Sequence, residues 1–313
     1  MKEDNVKYPE DCIKVLDKGF VRLVEHMGDD HSICNAARVS YQKGTKKVSD
    51  DKTLIRYLMR KRHTSPFEMC EFIFHARTPI FCARQWVRHR TASLNEMSGR
   101  YSEMPQLYYI PKEEDVTFQD TTNKQGGTKE PLTLLNIPNA TEFVGGGYEK
   151  EYASEWKWSD EFKMIPAHAI EQYDSLLRTG MRRELARIVL PLNLYTEWYW
   201  KLDLHNLFHF LKLRLDSHAQ YEMRLYAEAI YKLIKPIVPI SCEAFEDYVL
   251  NAITLTAKDI TALEELLDYY YFDCSNDPPT WDTVVSQIAK EYFTNKRERS
   301  EFVEKLKKIR KDK

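Results

Sequence analysis

The sequence predicts a mixed α/β protein, and three observations carry that expectation. Apolar residues alternate in two runs, Cys70 to Ala76 and Leu192 to Leu202, with the period of half-buried strands. Elsewhere they recur every three or four residues, as at Leu54, Ile55, Leu58 and Met59, the period of a helix with one buried face. The chain, at 313 residues, is long enough to bury a sizeable core as one large domain or two. A net charge of −2 speaks against a general nucleic-acid binder. The six cysteines (12, 34, 70, 82, 242, 274) are scattered without a C-x-x-C pair, which argues against a zinc ribbon or a disulfide framework and suits a reducing cytosol. No apolar run approaches a membrane span, and the polar start, Met1-Lys2-Glu3-Asp4-Asn5, has no signal-peptide core. The expectation is a cytoplasmic enzyme.

Taken in order, Ile13 to His26 reads as two short strands around a tight turn at Lys18-Gly19. Ser32 to Val39 is helical and ends at Ser40-Tyr41. Asp50 or Asp51 caps the next helix, which His63-Thr64-Ser65-Pro66 terminates, because a residue before proline avoids helical angles. Cys70, Phe72, Phe74 and Ala76 then form the inward face of a strand, which delivers the chain to a short helix opened by Pro79. Lys112 to Gly147 is polar, with Gly126-Gly127 and Gly145-Gly146-Gly147. No strand precedes these glycines, so the stretch reads as a surface insertion and not a dinucleotide fingerprint. Pro166 to Thr179 and Arg182 to Leu190 are helices, and Leu192 to Leu202 is a long, central strand. Asp203 caps a helix that runs on past Asp216-Ser217 to Ile234. Residues 251–313 form a helical, basic C-terminal extension to a domain over 1–250. Its last helix carries Phe302, Leu306 and Ile309 on one stripe, a face that packs on its own domain or docks a partner.

Chemistry concentrates between Arg77 and Arg100, where five arginines meet one acid, Glu96, in a chain that is slightly acidic overall. Arg84 and Arg88 share a helix face and repel unless an anion lies between them. Arginine forks beside the loop Ser93-Leu94-Asn95-Glu96-Met97-Ser98-Gly99 are the donor set a phosphate requires. Arg187 lies between Ala186 and Ile188-Val189-Leu190, and a charge there demands a carboxylate or a bound anion. His205 and His209 stand one turn apart, but no third ligand has suitable spacing, so no metal is assigned.

The run R-H-R-x-x-S-x-N-E-x-S-x-R-Y, from Arg88 to Tyr101, resembles the signature of flavin-dependent thymidylate synthases. H-T-S-P-F-E at His63 to Glu68, A-R-I-V-L-P-L-N-L-Y-T at Ala186 to Thr196 and L-R-L-D-S-H-A-Q at Leu213 to Gln220 resemble the same family, in its order. Together they cover roughly residues 12–112 and 148–250, and four spaced motifs are far more specific than one. The resemblance implies a mostly antiparallel sheet flanked by helices, a homotetramer with sites between subunits, and reductive methylation of dUMP to dTMP. FAD and NADPH would be the cofactors and 5,10-methylenetetrahydrofolate the carbon donor, with no nucleic acid or membrane as partner.

By position, the resemblance places Gln85, Trp86, Val87, Arg88, Glu96, Met97, Ser98, Gly99, Arg100, Arg187 and Arg214 on dUMP, with Arg214 facing the uracil as the catalytic residue. It places Ser40, His63, Ser65, Arg88, His89, Arg90, Asn95, Glu96, Asp203, His205 and His209 on the flavin. Asp203, His205 and His209 depart from the Asn and Arg common there. Blander readings stand beside these: Ser40 as a helix-end hydroxyl, His63 as a helix C-cap, Arg214 as a salt-bridge partner of Asp216. The site motif carries no cysteine, so uracil C5 must be activated by charge on the ring instead of by attack at C6. Three other classes fit parts of the sequence. A nucleic-acid-binding module explains Arg88 and Arg90 beside Trp86 and Tyr101. A serine hydrolase would use Ser98 with His89, although the G-x-S-x-G elbow is missing, and an inactive relative would keep only the fold.

Overall fold

The computed structural model describes residues 6–40, 50–121, 125–133, 157–272 and 280–310. The glycine run 145–147, Cys274 and much of the polar insertion lie outside them. The chain divides into two compact units, 1–250 and 251–313.

The first unit is built on one five-stranded antiparallel sheet of order β1-β2-β3-β7-β4. Its strands are β1 (Ile13–Val15), β2 (Gly19–Met27), β3 (Glu71–Pro79), β4 (Ser93–Glu96) and β7 (Tyr195–Asp203). A separate ribbon pairs β5 (Thr117–Gln119) with β6 (Gly127–Pro131). β3 is the middle strand; β7 lies inside the sheet but one place off centre, and begins at Tyr195, three residues later than the alternation suggested. Leu192 is left exposed in the preceding turn. Phe72, Phe74 and Ala76 of β3 and Trp198, Trp200 and Leu202 of β7 are buried on one face, as period two requires.

Helices α1 (Asp30–Arg38) and α2 (Asp51–Lys61) open the helical layer, and Asp29 and Asp50 accept from the Ser32 and Thr53 amides to cap them. α2 ends on Arg62 in the left-handed region, with the His63 amide returning to the Leu58 carbonyl at 2.9 Å. α3 (Ile80–Trp86) follows β3 without a loop, and its first amides, Ile80 and Phe81, donate to the Leu194 and Leu192 carbonyls. α4 (Trp158–Arg178) contains Pro166, and α5 (Arg183–Ala186) leads into a 3-10 turn, Arg187–Val189. α6 (Leu204–Arg214), α7 (Tyr221–Ile234) and α8 (Pro239–Phe245) complete the unit.

Three sequence expectations change here. Ser93 to Glu96 is an edge strand and not a loop, because β7 supplies its backbone partners. The helix from Asp203 breaks after Arg214. Asp216 accepts from the His218 amide at 2.8 Å and its carbonyl from the Ala219 amide at 2.9 Å, a local turn that replaces the helical ladder. Arg187 is exposed, as are Ile188 and Leu192 beside it, so apolar neighbours in sequence did not mean a buried charge.

The core under the sheet is aromatic. The Trp86 ring stands edge-on to Trp198 and Trp200, each at 5.2 Å, and meets Phe210 and Tyr226. Tyr226 reaches across to donate to the Arg77 carbonyl at 2.7 Å, and its hydroxyl occupies the space that a Cβ on Gly19 would need. α3 is thereby fixed against both β7 and α7.

The second unit packs α9 (Ala257–Phe272), α10 (Trp281–Tyr292) and α11 (Lys296–Arg310) around their own core, including Leu266, Ile288, Phe302 and Leu306. Ile309, expected on the same stripe, is exposed. Burial alone would raise the Asp259 carboxyl; Lys305 at 2.6 Å and the Thr256 amide outweigh it and hold the group below its usual range.

Candidate active site

Edge strand β4 joins two open clefts. Its four residues span about 13 Å at ~3.4 Å each. The chain enters β4 from the first cleft, at Arg88 to Thr91, and leaves it into the second, at Glu96 to Gly99.

The first cleft, ≈ 260 Å³, is lined by Arg88, His89, Arg90 and Thr91 on one side and by Leu202, Asn206, His209, Leu213 and Arg214 on the other. Its geometry follows from the buried Trp86. That ring anchors the end of α3, and the next amides turn back, Arg88 to the Gln85 carbonyl and His89 to the Trp86 carbonyl. Arg88 and Arg90 then face outward, beyond the helix on which Arg84 and Arg88 were expected to share a face, while His89 packs edge-on against Phe210 at 4.9 Å.

Arg214, at the end of α6, donates from Nε to His89 Nε2 at 3.1 Å, from Nη1 to Gln85 Oε1 at 3.4 Å, and from Nη2 to the Gln85 carbonyl at 3.3 Å. Of the five N–H groups of a guanidinium, these three bonds leave two, one on each Nη, without a partner among the described residues. His89 must accept at Nε2, so its proton sits on Nδ1. Burial, then Arg214, then His209 push its pKa down to about 4, so the ring is neutral at pH 7. Burial also lowers the Arg214 pKa, without bringing a guanidinium near deprotonation. No carboxylate lines this cleft, and Arg88, Arg90 and Arg214 have no ion pair among the described residues. Arg214 does not pair with Asp216, the alternative considered for it; Asp216 bonds the His218 ring and amide.

The second cleft, ≈ 190 Å³, is lined by Ile80, Glu96, Met97, Gly99 and Met104, and by Arg187, Leu190, Leu194 and Thr196. Thr196 donates to Glu96 Oε1 at 2.6 Å. A Cβ on Gly99 would lie 2.6 Å from Met104 Sδ and 3.2 Å from Arg187 Cδ, so glycine lets the Arg187 stem lie flat on the backbone. Ser98 Oγ accepts from the Arg100 amide at 3.3 Å, and Arg100 Nε pairs with Glu184 at 3.2 Å.

The structure therefore gathers Arg88, His89, Arg90, His209 and Arg214 at one cleft, and Glu96, Met97, Gly99 and Arg187 at the other. Gln85 stands behind Arg214. Val87 is half-buried against the core, and Asn95 is exposed opposite Tyr199. Trp86 is wholly a core residue and presents no side chain to either cleft. Both Asp203 oxygens are engaged by Asn206, at its amide (2.9 Å) and at Nδ2 (2.7 Å). His205 is half-buried and outside both linings. Ser40, His63 and Ser65 are exposed and line neither cleft, with the His63 ring edge-on to Tyr57 at 5.6 Å.

Asn206 is the residue the sequence reading missed. Asn206, His209 and Leu213 step by three and four on α6, so one helix face presents them beside Leu202 near the end of β7, and that spacing was available in the sequence. Thr196 and Met104 come from distant segments and left no such signal.

The family described as "Thymidylate synthase complementing protein" matches residues 22–240. A Dictyostelium discoideum protein named flavin-dependent thymidylate synthase is 51% identical over 259 residues, covering 80% of this chain and 79% of that protein. One of the same name from Treponema denticola is 47% identical, covering 81% and 89%. A crystal structure of the UMP/dUMP methylase PolB from Streptomyces cacaoi, bound with 5-Br dUMP, is similar at a TM-score of 0.59 and 31% identity, covering 76% of this chain and 99% of that one. The chain belongs to the flavin-dependent thymidylate synthase family.

Proposed function

We propose that the protein methylates dUMP to dTMP with FAD, taking the carbon from 5,10-methylenetetrahydrofolate and electrons from NADPH. The observation that carries this reading is Arg214, a preorganised guanidinium that keeps two spare N–H groups, among the described residues, in the wall of a cleft that none of their carboxylates lines. Spare donors of a guanidinium can meet acceptors on a uracil edge, and a fixed cation there favours the ring ionised at N3, raising electron density at C5. Covalent activation by a nearby thiol has no support: Cys82 is fully buried, and burial pushes its pKa far up. Serine catalysis fares no better. Ser98 sits between Met97 and Gly99, which line the second cleft, without lining it itself, whereas His89 belongs to the first and spends Nε2 on Arg214.

Arg187, Ser98, Gly99 and Arg100 hold the nucleotide phosphate at the second cleft. Arg88, His89, Arg90, Asn206 and His209 hold the flavin, with Leu202 and Leu213 as apolar walls, a donor set that fits an anionic, planar cofactor. When bound, FAD supplies the hydride. The active form is a homotetramer in the cytoplasm. The clefts, ≈ 260 and ≈ 190 Å³, are smaller than the ~300–1,000 Å³ of ordinary ligand sites. The exposed Leu185, Ile188, Val189 and Leu192 beside Arg187 form an apolar surface suited to a second copy. His63, Ser65 and Ser40, outside both linings within one chain, would then reach the flavin of a neighbouring subunit.

The test is turnover: FAD-loaded protein given dUMP, methylenetetrahydrofolate and NADPH should form dTMP, and dUMP alone should perturb the flavin absorbance. Neither product nor spectral change would overturn the reading. Sedimentation showing a fully active monomer would remove the tetramer.

A further inference from the structure

Behind Arg214 lies a chain of side-chain hydrogen bonds that the proposed chemistry does not use directly. Gln85, on the last turn of α3, accepts from Arg214 Nη1 at Oε1 and donates from Nε2 to Gln220 Oε1. Gln220 is the residue before α7, and its Nε2 donates to Glu222 Oε2 at 2.9 Å. Tyr109 Oη donates to the other carboxylate oxygen, Oε1, at 3.4 Å. Glu222 lines neither cleft.

We propose that Glu222 is a positioning residue, whose carboxylate fixes the direction of this relay and so holds Gln85 and Arg214 in the geometry that receives the pyrimidine. A primary amide can occupy the same space with oxygen and nitrogen exchanged, and only its hydrogen-bond partners choose between the two. An ionised carboxylate carries no hydrogen and can only accept. Gln220 must therefore turn its NH2 toward Glu222 and its oxygen toward Gln85. Gln85 must in turn give its NH2 to Gln220, which leaves its oxygen facing the guanidinium. The guanidinium, which can only donate, asks for the same direction from the other end through one 3.4 Å contact, and the anion secures it for both amides. If the relay reversed, the Gln85 NH2 would point at Arg214, donor against donor, and the guanidinium would keep only His89 and the Gln85 carbonyl. The two N–H groups offered to the cleft would then lose their fixed direction.

This inference rests on the reading that the Arg214 cleft receives dUMP. It is tested on FAD-loaded protein by titrating dUMP against the flavin absorbance and measuring turnover. Glu222→Gln keeps the shape but replaces the anionic acceptor with a weaker neutral one that can also turn its NH2 toward Gln220, leaving the direction of the relay to the single 3.4 Å Arg214–Gln85 contact. Its kcat/KM for dUMP should fall about ten- to a hundredfold, the scale on which losing an outer partner loosens the group it orients, with melting temperature and bound flavin unchanged. Gln220→Leu breaks the relay one link earlier and should give a similar loss. The double variant should be no worse than either single one, because both cut the same chain.

Unchanged dUMP affinity and turnover in Glu222→Gln would overturn the proposal, as would strictly additive losses. So would a loss fully explained by a lower melting temperature, since Glu222 would then only tie α7 to Tyr109. Should Glu222→Gln fail to fold, normal activity in Gln220→Leu would refute it as well. Wild-type protein that does not respond to dUMP would sink the functional reading itself, a result distinct from any of these.

Discussion

The two clefts at the ends of β4 each present an arginine, and the arginines are held differently. Arg214 is partly buried, with three N–H groups engaged by His89 and Gln85. Arg187 is exposed, lies along Gly99, and has no ion pair among the described residues. Rigid positioning costs side-chain entropy during folding and not at the moment of reaction, which is what transition-state stabilisation requires. An exposed fork without an ion pair among the described residues suits a phosphate, whose charge changes little while chemistry proceeds elsewhere. The contrast separates chemistry from binding along one strand.

The largest expected effect breaks that contrast on the chemical side. Arg214→Ala should stay folded and yellow and still be reduced by NADPH, while dTMP formation falls roughly 10²–10³-fold, the ~3–4 kcal/mol of one preorganised donor. A stable, flavin-loaded variant with near-normal turnover would remove Arg214 from the chemistry. A lower melting temperature with flavin loss would make it a structural residue instead.

On the binding side, Arg187→Ala should raise the KM for dUMP about ten- to a hundredfold, in line with ~1.5–3 kcal/mol for a charged hydrogen bond, and leave kcat largely in place. A fall in kcat at saturating dUMP equal to that in Arg214→Ala would erase the distinction between the clefts.

The same contrast shows what was legible in the sequence. β3 was plain because Phe72, Phe74 and Ala76 face one core and alternate visibly. β4 was not, because Ser93-Leu94-Asn95-Glu96 is mostly polar and fully exposed. It is a strand only through the backbone of Trp198 to Lys201, a long-range fact. Arg214 stood out in the sequence through the resemblance, and its partners Gln85 and His89, more than a hundred residues away in sequence, left no local signal. Arg187 was expected to be buried because Ile188, Val189 and Leu190 follow it; local composition cannot distinguish a core from an apolar surface. The break at Asp216-Ser217 was readable, since an Asp side chain next to Ser competes for backbone amides, but helical periodicity on both sides masked it.

Ser98 sharpens the comparison with a smaller effect. Its hydroxyl accepts from the Arg100 amide within the Ser98-Gly99-Arg100 turn and is bonded to no general base among the described residues. Ser98→Ala should weaken dUMP binding by less than Arg187→Ala does and preserve dTMP formation. Abolished turnover with the nucleotide still bound would show that Ser98 takes part in bond making.

The smallest expected effect concerns the ring that holds Arg214. His89 accepts the Arg214 Nε–H, and burial, Arg214 and His209 hold its pKa down to about 4, against about 6.5 in an unfolded chain. Between those values the unfolded protein binds a proton that the folded protein refuses. Stability therefore rises with pH from about 4 to about 6.5 and gains nothing further from this group above that, and the contribution is lost as acid protonates the folded ring. The slope stays below the ~1.4 kcal/mol per pH unit that one proton allows, because the ring is partly solvated. Protonation would also turn Nε2 from acceptor to donor and expel Arg214 from its place, so dUMP affinity should fall over the acid limb along with stability. Arg187, bonded to no titrating ring, gives its cleft no such dependence. In a proton NMR titration the His89 ring signal should hold its neutral position down to about pH 5, and melting curves of His89→Asn should lose part of the wild-type pH dependence. A His89 midpoint near 6.5 would mean that the ring is not held neutral by its surroundings, and the rigid Arg214 on which the contrast rests would lose its firmest partner.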